Sequence, residues 1–312
     1  MTIRKYKYTV KKEDEKYTLK NLLRSKFEFS SRMRAKIKHD KLLFLNDDPV
    51  PAWISAQEGD VISVNVPLDR SCFEPEDIPL DIIYEDEDLL ILNKQPGIIC
   101  HPTKGHPAHT MANGIMKYMN DSHQSFKIRF VNRLDTDTSG ILLIGKTSQA
   151  QTGLMKQPGR TEKIYTAVVT GRIDNEEGII DLPIGKLSPD KVKRGIVSED
   201  HGGRASISMY KVTDRYSVTT VNGSKRSFTL VEVNITTGRT HQIRVHMSNT
   251  GHPVLGDHLY GEENPNLISR QALHASRLTF RHPVTHEKIS ITAPLPEDMQ
   301  RLIGILKNTS VK

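Results

Sequence analysis

Short apolar segments alternate with polar, turn-forming residues along the chain, and the clearest apolar segment covers residues 141–144. Its sequence Ile-Leu-Leu-Ile has no polar position, which is typical of a strand buried on both faces. Other segments rich in β-branched and aromatic residues, bounded by turn-forming residues, also predict strands. They cover residues 42–50 (strand, turn, strand), 60–66, 80–84, 89–94, 164–169, 205–212 and 228–235.

Helical spacing of apolar residues predicts helices over residues 18–27, 32–38 and 148–157, the last stopping at Pro158-Gly159. Strand-rich sequence with irregularly interspersed helices favours an α+β fold over a regular parallel βαβ array. The length of 312 residues allows one large and one small domain. We predict a small domain at 1–68, an acidic, proline-punctuated linker at 69–79 and a large domain at 80–305.

The second predicted helix is strongly basic. Ser30 or Ser31 can cap it by accepting hydrogen bonds from its free N–H groups. Met33 and Ile37 are four residues apart and are expected to face inward. The remaining cations are then expected to face solvent: Arg32, Arg34, Lys36 and Lys38.

The net charge of +7 is unevenly distributed along the chain. Residues 1–45 contain 14 Lys and Arg against 5 Asp and Glu, whereas the remainder contains 30 against 32. Such a basic arm indicates a polyanionic partner, either nucleic acid or an acidic membrane surface. No apolar run approaches the length of a membrane span, the N-terminus is polar, and the only two cysteines, Cys72 and Cys100, are isolated. These features lead us to expect a cytoplasmic protein without a membrane anchor.

Candidate chemistry is concentrated immediately before the apolar run, in Arg133-Leu-Asp-Thr-Asp-Thr-Ser-Gly140. An arginine and two carboxylates there lie on a turn-rich segment that leads into a rigid strand, a common way of holding reactive side chains still. Asp favours turns and caps, so we interpret Asp137 as a turn residue rather than a second catalyst.

A phosphate-binding motif overlaps the same residues, because Gly140–Thr147 matches G-x-x-x-x-G-K-[ST]. A phosphate loop must curl its backbone N–H groups around an anion. Four consecutive Ile and Leu residues in the middle of the motif predict a buried strand instead. A nucleotide-driven RNA remodelling enzyme therefore remains a distant alternative, which tight ATP binding would reveal.

The segment R-L-D-x-x-T-S-G followed by Ile-Leu-Leu resembles the signature of the RluA family of RNA pseudouridine synthases. Further family motifs lie before and after this segment, over roughly residues 80–300. They are Lys94–Gly97 with His101-Pro102, Lys163–Tyr165, Thr237–His246, His252–Asp257, Tyr260-Gly261 and Leu273–Ala275. The family often has His before R-L-D, where this chain has Asn132, which cannot titrate near neutral pH.

The resemblance implies a catalytic domain of the pseudouridine synthase type, built on a mixed, largely antiparallel sheet, that isomerises uridine to pseudouridine in structured RNA. It implies Asp135 as the catalytic carboxylate, Tyr165 as the active-site tyrosine and Arg244 as the partner of Asp135. Arg133 and Arg239 are candidate RNA contacts. We expect no cofactor and no metal site. His241 and His246 are five residues apart and lack the spacing of a helical zinc pair.

The N-terminal pattern of two basic helices followed by short strands is similar to the small RNA-binding domain named for the fourth small-subunit ribosomal protein. We therefore expect Arg32, Arg34, Lys36 and Lys38 to bind RNA. The family resemblance favours large-subunit ribosomal RNA as substrate, with transfer RNA as the alternative and no evident obligate protein partner. The main rival hypothesis is a catalytically silent RNA-binding or ribosome-assembly protein.

Overall fold

The computed structural model describes residues 3–67, 70–103, 105–157, 161–188, 192–219 and 224–309. Its N-terminal unit is a four-stranded sheet in the order β1-β4-β2-β3 with two helices packed on it. The elements are β1 (Ile3–Thr9), α1 (Leu19–Ser25), α2 (Ser31–His39), β2 (Leu43–Leu45), β3 (Asp48–Pro49) and β4 (Val61–Pro67). A separate cluster of buried apolar side chains fills this unit.

The rest of the chain forms a larger unit around a ten-stranded sheet. The strands of this unit, including a separate hairpin of β11 and β12, are β5 (Ile82–Glu85), β6 (Leu89–Lys94), β7 (Arg129–Phe130), β8 (Ser139–Gly145), β9 (Glu162–Thr170), β10 (Glu177–Asp181), β11 (Ile184–Lys186), β12 (Arg194–Ile196), β13 (Ile207–Thr219), β14 (Lys225–Ile235), β15 (Leu273–Arg281) and β16 (Lys288–Thr292). Its helices are α3 (Met111–Asp121), α4 (Ser148–Met155), α5 (Gln242–Asn249) and α6 (Glu297–Thr309).

The order of the large sheet is β10-β13-β14-β9-β15-β8-β6-β5, with β16 paired to β15 and β7 paired to β8; β11 and β12 form a separate hairpin. Every pairing is antiparallel except that of β15 with β8. The α+β prediction with a mixed, largely antiparallel sheet is therefore confirmed.

Strand β8 explains why the phosphate-loop match fails. All seven of its residues are buried, and the six from Gly140 to Gly145 pair with β6 on one side. Gly140 has φ +108°, and a Cβ atom there would lie 2.3 Å from the carbonyl oxygen of Ala275. Glycine is thus required for the close parallel approach of β15 rather than for cradling phosphate. Thr147 caps α4 by accepting from the backbone N–H of Ala150 at 3.0 Å.

The predicted helices are present with slightly different ends. Ser30 caps α2 by accepting from the backbone N–H of Met33 at 3.2 Å, as expected. Helix α4 ends at Met155, and Pro158-Gly159 lies outside the described residues. The strand predicted over 205–212 begins at Ile207 and continues to Thr219, because its outer half pairs with β14.

The outward orientation expected for the α2 cations needs one correction. Arg32 and Lys38 are exposed, whereas Arg34 and Lys36 are half-buried. The Arg34 guanidinium turns back along the chain and donates to the carbonyl oxygen of Phe29 at 2.6 Å and to Ser31 Oγ at 3.2 Å. Arg34 therefore helps to close the start of α2, where backbone groups lack helical partners.

The segment between the two units packs against the larger one. Ser71 Oγ accepts from the backbone N–H of Ile128 at 2.9 Å, and the Glu74 carbonyl oxygen accepts from Asn113 Nδ2 at 2.8 Å. Across the units, Arg4 of β1 forms an ion pair of 3.0 Å with Asp88. At the other end, α6 continues past the predicted boundary at 305 to Thr309.

Candidate active site

The turn that carries Asp135 lies between β7 and β8, and neighbouring elements hold its backbone. The backbone N–H of Thr138 donates to the carbonyl oxygen of Asp135 at 3.1 Å, closing the turn. Lys94, at the end of β6, donates from Nζ to the carbonyl oxygen of Thr136 at 2.8 Å. Because Lys94 is fully buried, its pKa falls to about 8.

A second brace comes from Arg270, which donates to the carbonyl oxygen of Asp137 at 2.9 Å. Asp298 of α6 holds this guanidinium through both carboxylate oxygens, at 2.6 and 2.9 Å. Asp137 therefore supports the loop through its backbone carbonyl oxygen, which Arg270 holds in place. Together, Lys94 and Arg270 fix the loop on which the candidate catalytic carboxylate stands.

Arg244 of α5 brings two carboxylates together at the base of the site. Its Nη1 lies 3.1 Å from Asp135 Oδ2, while its Nε and Nη2 lie 2.6 and 2.8 Å from the two oxygens of Asp257. Asp257 is fully buried and Arg244 is 3 % exposed, whereas the Asp135 side chain is 25 % exposed. Asp257 thus fixes the position of the Arg244 guanidinium. Nη1 of that guanidinium then contacts Asp135, the more accessible of the two carboxylates.

The electrostatics of this cluster keep Arg244 and Asp257 charged. Burial alone would lower the pKa of Arg244, but Asp257 and Asp135 raise it above its ordinary value. Burial alone would raise the pKa of Asp257, but Arg244 and the backbone N–H groups of Leu259 and Tyr260 lower it. A buried ion pair with its remaining lone pairs satisfied is the arrangement that compensates for the loss of hydration.

Tyr165 of β9 lines the same cavity as Asp135 and Arg244. Its side chain is buried, and burial, followed by the nearby Asp135 carboxylate, raises the pKa of its phenol. The hydroxyl therefore stays protonated at neutral pH. It can donate a hydrogen bond and present an aromatic face, but it is not poised to accept a proton.

The cavity opens into a cleft and then a groove with cationic walls. Arg133 and Arg239 line both the cleft beside Asp135 and the adjoining groove. Arg133 also donates to Thr240 Oγ1, and Arg239 donates from Nε to the carbonyl oxygen of Ala205 at 3.1 Å. The charged and titratable lining residues of the groove, within the described part of the chain, are Arg133, Lys186, Arg194, His201, Arg204 and Arg239.

Asn132 has a structural role at the position where the family often has histidine. Its Nδ2 donates to the carbonyl oxygen of Ile141 at 2.9 Å, and its Oδ1 accepts from the backbone N–H of Leu143 at 2.7 Å. The amide thus pairs with β8 as a backbone group would. This geometry agrees with giving residue 132 no part in proton transfer.

Three residues of the site received no role from the sequence: Asp257, His241 and Lys94. The sequence signal for Asp257 was its place in the family-like segment His252–Asp257, without a partner. The His241 ring lies at the start of α5, with Nε2 3.9 Å from Asp135 Oδ1. Among the described residues, no group of three or more His, Cys, Asp or Glu is arranged to hold a metal ion.

Comparison with known proteins shows which family this chain belongs to. The sequence model of the RNA pseudouridylate synthase family matches residues 88–249. This chain belongs to that family. It is 40 % identical over 265 residues to the uncharacterized RNA pseudouridine synthase YjbO of Bacillus subtilis (strain 168), covering 84 % of this chain and 89 % of that protein. It is 34 % identical over 302 residues to ribosomal large subunit pseudouridine synthase D of Xanthomonas campestris pv. campestris, covering 91 % and 87 %.

A solved structure, human RNA pseudouridylate synthase domain containing 1, superposes with a TM-score of 0.55 at 25 % identity and covers 74 % of this chain and 96 % of that one. The predicted family and activity are therefore confirmed: the protein is an RNA pseudouridine synthase, not a catalytically silent RNA-binding protein. No helix in the described residues is long and apolar enough to cross a membrane.

Proposed function

We propose that this enzyme isomerises specific uridines of large-subunit ribosomal RNA, with Asp135 as its catalytic carboxylate and Arg244 and Tyr165 beside it. The observation that carries the proposal is the Asp135–Arg244–Asp257 cluster at the base of a cleft with cationic walls. The cluster holds the Asp135 carboxylate in a fixed orientation, and the walls suit a polyanionic substrate.

The reaction requires no co-reactant. The bond between C1′ and N1 of the uridine breaks, the uracil turns, and a bond forms between C1′ and C5. A proton leaves C5, and N1 gains one. A carboxylate can take part as nucleophile, as base or as stabiliser of positive charge developing at the sugar, and in each role it must be ionised. Arg244 donates to Asp135 Oδ2 and leaves Oδ1 free of guanidinium contact.

Tyr165 contributes a binding surface and a hydrogen-bond donor. An aromatic ring beside Asp135 can stack on the displaced uracil. Because burial raises the pKa of its phenol, the hydroxyl can donate to a uracil oxygen throughout the neutral pH range. We assign Tyr165 to holding the base while it turns.

RNA phosphates are assigned to the groove beside the cleft. A target uridine must leave its helix or loop to reach a pocket of this kind. Arg133 and Arg239 stand where the cleft meets the groove, so they are placed to hold the phosphates flanking the displaced nucleotide. Lys186, Arg194 and Arg204 continue the cationic wall away from Asp135.

The choice of RNA rests on two supports. One is the similarity to relatives named ribosomal large subunit pseudouridine synthase D. The other is the basic N-terminal unit, in which exposed Arg32 and Lys38 can add phosphate contacts. We place the enzyme in the cytoplasm, where the free thiols of Cys72 and Cys100 would remain reduced.

Site-resolved mapping of pseudouridine in total RNA tests the proposal. RNA is compared from cells with the gene, without it, and with an Asp135→Asn copy restored. We expect one or more pseudouridines of large-subunit ribosomal RNA to disappear without the gene and to stay absent with Asp135→Asn. Loss confined to transfer RNA would overturn the substrate assignment, and restoration by Asp135→Asn would overturn the catalytic one.

A further inference from the structure

His241 occupies an unusual backbone position directly before α5. Its φ and ψ are +60° and 21°, in the left-handed region that residues other than glycine rarely adopt. The conformation places the imidazole between Tyr260 and Asp135, with 9 % of the side chain exposed.

A chain of hydrogen bonds determines which ring nitrogen carries the proton. The backbone N–H of Arg194 donates to the Tyr260 hydroxyl oxygen at 2.7 Å, and that hydroxyl lies 2.9 Å from His241 Nδ1. We assign the hydrogen of that hydroxyl to Nδ1, which is its nearest ring-nitrogen acceptor. Nδ1 therefore accepts, and in the neutral ring the proton lies on Nε2.

The protonated nitrogen faces the catalytic carboxylate. Nε2 lies 3.9 Å from Oδ1 of Asp135, the oxygen that Arg244 does not hold. The two oxygens thus face different donors, a charged guanidinium at Oδ2 and a neutral imidazole at Oδ1. Catalytic contacts of this length in a free enzyme commonly shorten when substrate binds.

We propose that His241 is a positioning residue for the isomerisation: as a neutral imidazole it donates from Nε2 to Asp135 Oδ1 in the RNA complex. This inference rests on the proposed catalytic role of Asp135. The contact fixes the second oxygen without adding positive charge next to a carboxylate whose reactivity depends on its own charge. Tyr260 and the Arg194 backbone keep the ring in the required tautomer.

The surroundings keep the ring neutral near neutral pH. The charged and titratable groups that face it are Asp135, Arg194, Arg244, Asp257 and Tyr260. Burial lowers the pKa of His241, and this outweighs the opposite effect of Asp135. Protonation at acid pH would occupy Nδ1, remove the acceptor of the Tyr260 hydroxyl and place a cation beside Asp135. The isomerisation rate should therefore fall as the pH drops through the pKa of His241.

The test measures single-turnover pseudouridine formation at saturating RNA from about pH 4.5 to pH 8, because the pKa of His241 lies below the ordinary histidine value of about 6.5. His241→Gln keeps an N–H donor of similar reach that does not titrate. We expect its plateau rate within about fivefold of wild type and the acidic fall in rate to disappear. His241→Phe keeps the ring volume without a donor, and its rate should drop about 10- to 100-fold with no acidic fall, since loss of such a supporting contact costs that much.

Two further measurements separate positioning from simple damage. The RNA dissociation constant and the thermal unfolding midpoint of His241→Gln should match wild type, so that its changed pH profile reports on chemistry. Tyr260→Phe retains the imidazole but frees its tautomer, and its rate should fall about tenfold, as expected for a lost supporting contact.

An acidic fall unchanged in His241→Gln, or a wild-type rate in His241→Phe, would overturn the role of His241. Either result, obtained while Asp135→Asn is inactive, would leave the proposed function standing. Wild-type activity of Asp135→Asn would instead overturn the proposed function itself.

Discussion

The arginines of α2 and the arginine of α5 do different physical work. Arg32 is exposed to water, whereas Arg244 is 3 % exposed and binds two carboxylates through three of its nitrogens. An exposed cation is screened by salt and adds affinity for any phosphate within reach. A buried, fully bonded cation has one fixed geometry, so it can determine where a reacting carboxylate stands.

Arg34 shows that position in the sequence does not separate these two functions. It belongs to the basic face expected of α2, yet it bonds the Phe29 carbonyl and Ser31 at the start of that helix. We therefore expect Arg34 to contribute less to RNA affinity than Arg32 or Lys38. Substituting it would test helix stability as much as RNA binding.

The largest effect is expected at Asp135, the accessible carboxylate of the cluster that it forms with Arg244 and Asp257. Asp135→Asn keeps the shape of the side chain and removes its charge, so the single-turnover rate should fall by about a thousandfold or more. RNA affinity should stay within about twofold, because the cations proposed to bind phosphate are untouched. Rates from a pseudouridine-specific assay and affinities from filter binding check both expectations. Activity within a few-fold of wild type would contradict the catalytic assignment.

The second-largest effect is expected for Asp257, the buried partner of Arg244, and it should appear in the free energy of unfolding. Asp257→Asn leaves Arg244 without its main partner, and breaking a buried pair in this way costs about 3 kcal/mol or more. Because the folded-state pKa of Asp257 is lowered, the stabilisation by this carboxylate is present above its unfolded pKa near 4 and is lost as the pH falls through the folded value. Urea unfolding should show a large deficit for the variant at pH 7 and a smaller one near pH 3.

Asp81→Asn provides the matched control for that measurement. Asp81 accepts a hydrogen bond from Asn93 at an exposed position, away from any buried arginine. Its substitution should change the free energy of unfolding by less than about 1 kcal/mol at either pH. If both substitutions lower the free energy of unfolding equally, the buried charge of Asp257 contributes no more to stability than the exposed charge of Asp81.

Much of the catalytic framework could be predicted from local sequence. The run Ile141–Ile144 indicates a buried strand by composition alone, and β8 bears this out. That single feature argued against the phosphate loop. The family resemblance also named Asp135 and Arg244, which the structure places 3.1 Å apart although 109 residues separate them.

The supporting contacts could not be predicted in this way. Arg270 braces the backbone of Asp137 from 133 residues away, and it depends on Asp298 of the last helix. Such contacts are made by single polar side chains between distant elements, so they leave no periodicity to detect. The same holds for His241, whose sequence spacing to His246 only argued against zinc and gave no sign of the link to Tyr260.

The third effect separates charge from geometry at the clamp. Arg244→Lys keeps a positive charge, but an ammonium cannot bind both oxygens of Asp257 and one of Asp135 in fixed planar geometry. Displacement of Asp135 by about 1 Å would lower the single-turnover rate about 100-fold. Arg32→Lys is the control on the exposed surface, and its rate should match wild type. Equal rates for the two variants would show that charge alone suffices at position 244.

The smallest effect is expected from the exposed cations of α2, and it should appear in affinity rather than in rate. Arg32→Ala combined with Lys38→Ala removes two of the cations that we propose contact phosphates. The plot of log affinity against log salt concentration has a negative slope, and each lost contact should make that slope shallower by about 0.7–0.9. The single-turnover rate at saturating RNA should not change, because Asp135 and Arg244 lie in the other unit. Deleting residues 1–68 would be a poorer experiment, because Arg4 pairs with Asp88 and its removal would leave that carboxylate without its cation.

A double variant of two exposed lysines in the larger unit, Lys288→Ala with Lys307→Ala, matches the change in net charge. Its salt dependence should stay close to wild type if RNA contacts are local to α2. An equal reduction of slope in both double variants would mean that overall charge attracts the RNA. A reduced saturating rate in the α2 variant would mean that the N-terminal cations take part in forming the reactive complex, and the contrast between exposed and buried arginines would then fail.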